Sequence, residues 1–360
     1  MRKKFAFGLT FILSSLSYNS SASDTFPRHK FEAWFSTYGH HFEESSTIAC
    51  NDTLQQYKNP GADSSVPRFS IAHHADCILA NTTETIRANM ASAGVMLGLM
   101  PSLISSLGPS LTEASTLLIE RPFLSWLLAI GAPAFNPLRA SDHQDQLRTI
   151  KQPFRALPRI LSSFWIHVAI SLLQYLLALA AAVNVLAASL ELGLKTIASW
   201  KKEQSYLPLI WVNLSLVIHL CAMTRLRLIS KKERNDCDNA SSLSDIEKQM
   251  KSQIPHQKVH KLLIRLFIFE TRLCVMRERY DISFDTETFL GHVLNAALPV
   301  LVVVHLFLGT MIFSSLLFIA VSDTWPIMLR YALSAAVAQL IRMFEIAGLG
   351  QEQLTASAAS

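Results

Sequence analysis

The chain has 360 residues, half of them hydrophobic and only 16% charged, with a mean hydropathy of +0.29 and a formal net charge of +5. A soluble domain carries about a quarter charged residues, so this composition argues against a purely water-soluble fold. The modest net charge points to no nucleic-acid partner; lysine and arginine matter here by their distribution, because beside apolar helices they bias orientation.

Residues 1–23, MRKKFAFGLTFILSSLSYNSSAS, combine a basic start, a short apolar centre and small residues before Asp24. That is the layout of a secretory signal peptide, and its apolar centre is too short for an ordinary spanning helix. Residues 24–89 are polar and irregular and predict a small, loop-rich exported segment. Cys50 and Cys77 are its only cysteines, and in an oxidising compartment they form a candidate disulfide. The sequons at Asn51 and Asn81 fit the same compartment, as candidate glycosylation sites.

Residues 90–223 predict membrane helices. The first span, 90–109, is about 30 Å long as a helix and matches a hydrocarbon core. Its Gly94 and Gly98 allow close helix approach, and Pro101 predicts a bend. The next apolar block, TLLIERPFLSWLLAIGAP, contains Glu120, Arg121 and Pro122. Proline favours the first helical turn and disfavours helix in the residue before it, which predicts an interfacial turn at Glu120-Arg121-Pro122. The helix that follows, 122–135, is about 21 Å long and short of a crossing, so it reads as re-entrant or shallow. The alternative is a continuous crossing helix that carries Glu120 and Arg121 within it. A basic segment with Arg139, Arg148, Lys151, Arg155 and Arg159 leads to apolar runs at 160–190 and 206–223. Tyr206 and Trp211 stand at the start of the second as interfacial anchors.

Residues 224–288 predict a basic cytosolic loop. Thirteen lysines and arginines lie from Arg225 to Arg279, and Val259, Leu262, Leu263 and Leu266 recur there at the spacing of an amphipathic helix. The C-terminal spans, 298–321 and 327–341, fall within membrane residues 289–347 and are joined by SDTWP; a small-residue tail, 348–360, follows. If the exported segment starts outside, a non-crossing 122–135 places both basic loops inside. The fold class is therefore all-α, a polytopic helical membrane bundle with a loop-rich exported N-terminal segment.

The segments ANMASAGVMLGLMPSLISSLGPS, LLIERPFLSWLLAIGAPA, LLQYLLALAAAVNV and YLPLIWVNLSLVIHL, in this order, resemble a family of multi-pass membrane proteins of filamentous fungi. The resemblance covers about residues 77–345 and implies an arginine-proline turn in the second apolar block and a Tyr206-Leu207-Pro208 entry into a later span. It brings no functional residues with it. At the turn this chain has the acidic Glu120 beside Arg121.

The sequence holds no HExxH, GxSxG or Walker A motif and no CxxC, so no catalytic residue, cofactor or metal ligand is expected. One HxxxH, His256 with His260, is too few ligands for a metal centre. The intramembrane polar candidates are His167, His219 and His305, whose bland reading is hydrogen bonding between helices. Two functions follow as expectations. The first is non-enzymatic interaction or sensing, with lipid around the bundle and a protein partner at the exported segment or basic loop. The second is a transporter or channel whose polar path includes the three histidines.

Overall fold

The computed structural model describes residues 30–58, 70–137, 164–200, 205–232, 282–284 and 289–350. The signal segment 1–23, the polar segment 138–163, the amphipathic stretch of the basic loop and the tail 351–360 lie outside the described residues. In chain order the elements are α1 (Gly39–Glu44), a π-turn (Ser45–Ala49), α2 (Asn51–Lys58), α3 (Ser70–Ala80), α4 (Glu84–Leu107), α5 (Leu111–Glu120) and α6 (Pro122–Gly131). They continue as α7 (Phe164–Lys195), β1 (Ile197–Ala198), α8 (Leu207–Ile229), β2 (Ser230–Lys232), β3 (Ile282–Phe284), α9 (Phe289–Ser314), β4 (Leu316–Leu317) and α10 (Val321–Gly350).

Among the described residues, five helices are long and apolar enough to cross a membrane: Glu84–Leu107, Val168–Lys195, Leu207–Arg225, Gly291–Ser314 and Val321–Glu345. They bury alanine-rich faces against one another and leave large apolar side chains exposed. On α4 these are Val95, Leu99, Leu103 and Leu107, one per turn; on α10 they are Leu329, Leu333 and Leu340. Contiguous exposed surface of this kind belongs against lipid. Trp325 and Glu345 stand twenty residues apart on α10, about 30 Å along a helix, which equals the hydrocarbon thickness.

One end of the bundle is capped by residues 30–58 and 70–80. The β1–β4 ladder ties the ends of α7 and α9 together there, and the Val321 amide at the start of α10 donates to Asn89 Oδ1 on α4 at 3.0 Å. The long helices therefore alternate in direction, with α4, α8 and α10 running away from the cap and α7 and α9 toward it. At the far end, β2 pairs antiparallel with β3 and brackets the basic loop.

Four sequence boundaries move. The cap is helical rather than loop-rich: α1, α2 and α3 surround the Cys50–Cys77 pair, whose Cα atoms are 6.0 Å apart in a disulfide. The first long helix starts at Glu84 rather than residue 90, because the Thr83 hydroxyl caps it by accepting from the Ile86 amide and Glu84 favours the first turn. The re-entrant stretch is helical only to Gly131, leaving Ala132 onward non-helical. Finally, the connector before the last helix is Ser315–Ala320 rather than SDTWP. Asp323 lies in the first turn of α10, where an acid complements the helix dipole.

Gly94 and Gly98 serve close packing within the molecule. A Cβ on Gly94 would meet the Ser314 carbonyl oxygen at 2.8 Å, and one on Gly98 the Ser314 Cβ at 2.9 Å, so α4 and α9 touch nearly backbone to backbone.

Candidate functional site

The site is built where helices stop inside the bundle. α4 ends at Leu107, and after Gly108-Pro109 the fully buried Ser110 starts α5. Ser110 and Glu113 form a capping box: the Glu113 amide donates to Ser110 Oγ at 3.1 Å, and the Ser110 amide donates to Glu113 Oε2 at 3.0 Å. Two otherwise orphaned amides are satisfied without water. α5 packs Leu111 and Ala114 with Ile218, Ala222, Leu298 and Val302 and ends at Glu120, after which the chain reverses at Arg121. Pro122 takes the first position of α6, where its missing amide hydrogen costs nothing. α6 then climbs back until Asn136 donates its amide to the Pro109 carbonyl at 3.1 Å. Gly108 is required at this crossing, since any Cβ would collide with the Ala134 carbonyl.

The hairpin's tip is enclosed. Arg121 has no exposed surface; its Nη1 donates to Gln174 Oε1 and to Glu345 Oε1, each at 2.7 Å, and its Nη2 donates to Ser171 Oγ at 2.7 Å. Gln174 Nε2 donates to the same Glu345 oxygen at 2.6 Å, and the guanidinium lies 5.2 Å from the Tyr175 ring centre. At Glu120-Arg121-Pro122, the stretch read as an interfacial turn, α5 gives way to α6 at Arg121, whose side chain points into protein. A non-helical backbone at Arg121, φ −137° and ψ 78°, aims the side chain across the bundle rather than along its own helix. The Glu120 side chain lies outside the described ones.

The other end of α6 stops within the bundle, and carbonyls in its last turns and just beyond it face donors from three helices. Arg342 Nη2 donates to Leu128 O at 2.6 Å and His305 Nε2 to Pro133 O at 2.9 Å, while Ser215 Oγ, whose shorter bond is to its own helix at Val212 O (2.7 Å), lies 3.3 Å from Ala129 O. His305 lies nine residues before Ser314, about 14 Å along α9 from the capped end. This is the requirement of hydrocarbon made local: a helix end without water must find protein partners. His219 pairs Nε2 with Ser125 Oγ at 3.1 Å, and its ring lies 5.4 Å from that of Phe135. Of the three histidines singled out in the sequence, His219 and His305 therefore both meet α6 or its exit, while the His167 side chain lies outside the described ones.

Trp211 is not the interfacial anchor its position suggested. It is fully buried, stacks on His305 with centroids 5.0 Å apart and planes 2° from parallel, and donates Nε1 to the His305 carbonyl at 3.0 Å. The anchor role falls to exposed Trp200, Tyr206 and Trp325 at the capped end.

A second polar cluster joins α7 to α10 nearer the cap. Arg330 donates to Glu191 Oε2 at 2.8 Å and to Asn184 Oδ1 at 2.9 Å, and Lys195 donates to Glu191 Oε1 at 2.8 Å. In the cap, Ser36 Oγ and Thr37 Oγ1 donate to Asp323 Oδ1 at 3.0 and 2.9 Å, and Lys30 Nζ donates to the Thr196 carbonyl at 3.1 Å. Burial pulls the Lys30 ammonium down to about 8. His74 lies between Ser46 Oγ at 2.9 Å and Thr53 Oγ1 at 2.7 Å; burial, with the charge of His73 adding to it, lowers its ring to about 4. Asn51 and Asn81 are both exposed; the Asn81 amide donates to the Cys77 carbonyl at 3.0 Å.

Among the described residues no three His, Cys, Asp or Glu side chains are grouped as metal ligands. Compared with known proteins, the chain matches no family model, no curated protein and no solved structure. Function therefore has to be read from the site. Sequence reasoning missed the pairing of Arg121 with Glu345, although Arg342 and Glu345, three apart at the end of an apolar helix, mark one polar face.

Proposed function

We propose that this is a non-enzymatic integral membrane protein that works by interaction or sensing through its cap, with α10 carrying the state of the cap to the buried hairpin. The observation that carries the reading is that α10 is held at both ends. Ser36 and Thr37 grip Asp323 in its first turn, while Arg121 and the Leu128 carbonyl take Glu345 and Arg342 about 30 Å further along. A helix gripped in this way transmits a shift at one end to the other, because packed helices move as rigid elements.

In this reading the capped end is lumenal or extracellular, supported by the disulfide and the two sequons, and the β2–β3 end with its basic loop is cytosolic. The α5–α6 hairpin then makes no net crossing. Lipid surrounds the exposed leucine faces, and a protein partner binds the cap or the basic loop.

The test is hydrogen exchange on the intact protein in lipid nanodiscs, comparing wild type with Asp323→Asn. The expected result is several-fold faster exchange in residues 110–135 as well as in the cap. Faster exchange confined to the cap would end the proposal.

One observation favours a second reading, a transporter or channel. Interrupted helices that meet inside a bundle beside ionisable side chains are the usual form of membrane transport sites, and His219 and His305 lie at such a meeting. Proton flux into liposomes that is lost in both His219→Gln and His305→Gln would select this reading over the first.

A further inference from the structure

The hydrogen bonds of His305 assign its tautomer. Its Nε2 lies 2.9 Å from the Pro133 carbonyl oxygen, which only accepts, so Nε2 carries the hydrogen. In the neutral ring Nδ1 is then a bare lone pair, and it is buried with no hydrogen-bonding partner among the described residues. A basic nitrogen enclosed in this way calls for an explanation.

The surroundings of the ring favour a cation. Trp211 covers one face in a parallel stack, and an indole face attracts positive charge more strongly than other aromatic faces. At the ring edge, the Pro133 carbonyl that accepts from Nε2–H belongs to the non-helical exit of α6, and its oxygen carries partial negative charge. The stack is also built to fit: a Cβ on Gly309 would collide with the Trp211 indole nitrogen, so glycine one turn after His305 is what lets the indole lie flat.

We infer that His305 is a proton-binding site within the bundle, taking a proton on Nδ1 as an imidazolium stacked on Trp211 and tightening the bond from Nε2–H to Pro133 at the exit of the half-helix. This stands apart from the grip on α10 and does not depend on it.

The elements packed around His305 carry few other ionisable groups. α4 carries Glu84 and Arg87, paired with each other at its capped end. α8 carries His219, two turns beyond Trp211 and engaged with Ser125, then Cys221, and Arg225 near its far end; the Arg227 side chain lies outside the described ones. α5 carries Glu113, used in the capping box, and Glu120, whose side chain lies outside the described ones; α6 has none, and α9 itself adds only His292, exposed near its start.

Protonated histidine quenches a stacked indole, which gives the test. Tryptophan emission of the full-length protein in nanodiscs is titrated from pH 8 to 4.5 in wild type and Trp211→Phe, and again in the His305→Gln background, where the amide replaces the Nε2–H donor but takes no proton. The expected result is that the Trp211 contribution, obtained by difference, falls at least twofold with acid in wild type and stays flat with His305→Gln. A flat wild-type difference, or the same titration in both backgrounds, overturns the proposal. Should a variant fail to fold, 15N-histidine NMR of the wild type decides. The imidazole shifted upfield by the indole ring current should be Nε2–H at neutral pH and gain a second proton by pH 4.5. An Nδ1–H tautomer, or no second proton, overturns it.

Discussion

Two polar clusters bridge α7 and α10, and they solve the same problem in opposite ways. Near the cap, Arg330, Glu191 and Lys195 pair with their side chains about a third exposed. At the far end Arg121 and Glu345 pair with 0% and 1% exposure, and Arg121 also donates to Gln174 and Ser171. The first cluster keeps access to polar surroundings, so no single bond in it is indispensable. In the second, every polar atom depends on its neighbours, because a charge left unpaired in a dry interior is strongly destabilising. The contrast separates a surface clamp from an interlock that fixes where the hairpin sits.

The largest effect should come from breaking the enclosed pair on one side. Glu345→Ala removes the carboxylate 2.7 Å from the buried Arg121 guanidinium and should cost about 3 to 5 kcal/mol, read as a lowered unfolding midpoint in mild detergent. Replacing both partners, Arg121→Met with Glu345→Leu, should recover most of that loss, since a buried pair exchanged for apolar groups of similar size is often neutral. If the double variant is as unstable as the single one, the interlock owes its strength to something other than charge pairing.

Next in size is an acid effect confined to the cap. His74 sits between two hydroxyls with its ring lowered from 6.5 to about 4, so between these values the unfolded cap binds the proton that the folded cap refuses. Cap stability should be complete above about pH 6.5 and decline by roughly 2 to 3 kcal/mol as pH falls toward 4. Proteolysis of the cap across this range, against His74→Gln as the flat control, measures it. A pH response of equal size in the control would assign the acid sensitivity elsewhere.

These two cases also mark what the sequence holds. The five long helices are legible as apolar runs, and the break at Arg121-Pro122 is legible because proline's geometry is local. The partner of Arg121 is not, because Glu345 lies 224 residues away and periodicity within one helix carries no address on another. Trp211 illustrates the same limit. Its place near the start of an apolar run reads as an anchor, yet the space left by Gly309 on a different helix draws it inside. The cap read as loop because its helices are short and polar, and they are held together by the Cys50–Cys77 disulfide and the packing of Phe42, Ala75 and Ile78 rather than by strong periodicity.

The smallest effect belongs to the half-exposed cluster, and there the sign of the salt dependence tells more than the size. Glu191→Gln removes the acceptor shared by Arg330 and Lys195, but Arg330 keeps Asn184, and both cations remain partly open to their surroundings. The loss should be at most about 1 kcal/mol, as for exposed pairs, and should shrink further as salt rises, because screening already weakens the wild-type pairs. The enclosed pair should show no such convergence: the gap between wild type and Glu345→Ala should be the same in low and high salt, since ions do not enter between buried partners. Equal salt responses in the two variants would mean that the Arg121–Glu345 pair is reached by solvent, and the distinction between clamp and interlock would fall with it.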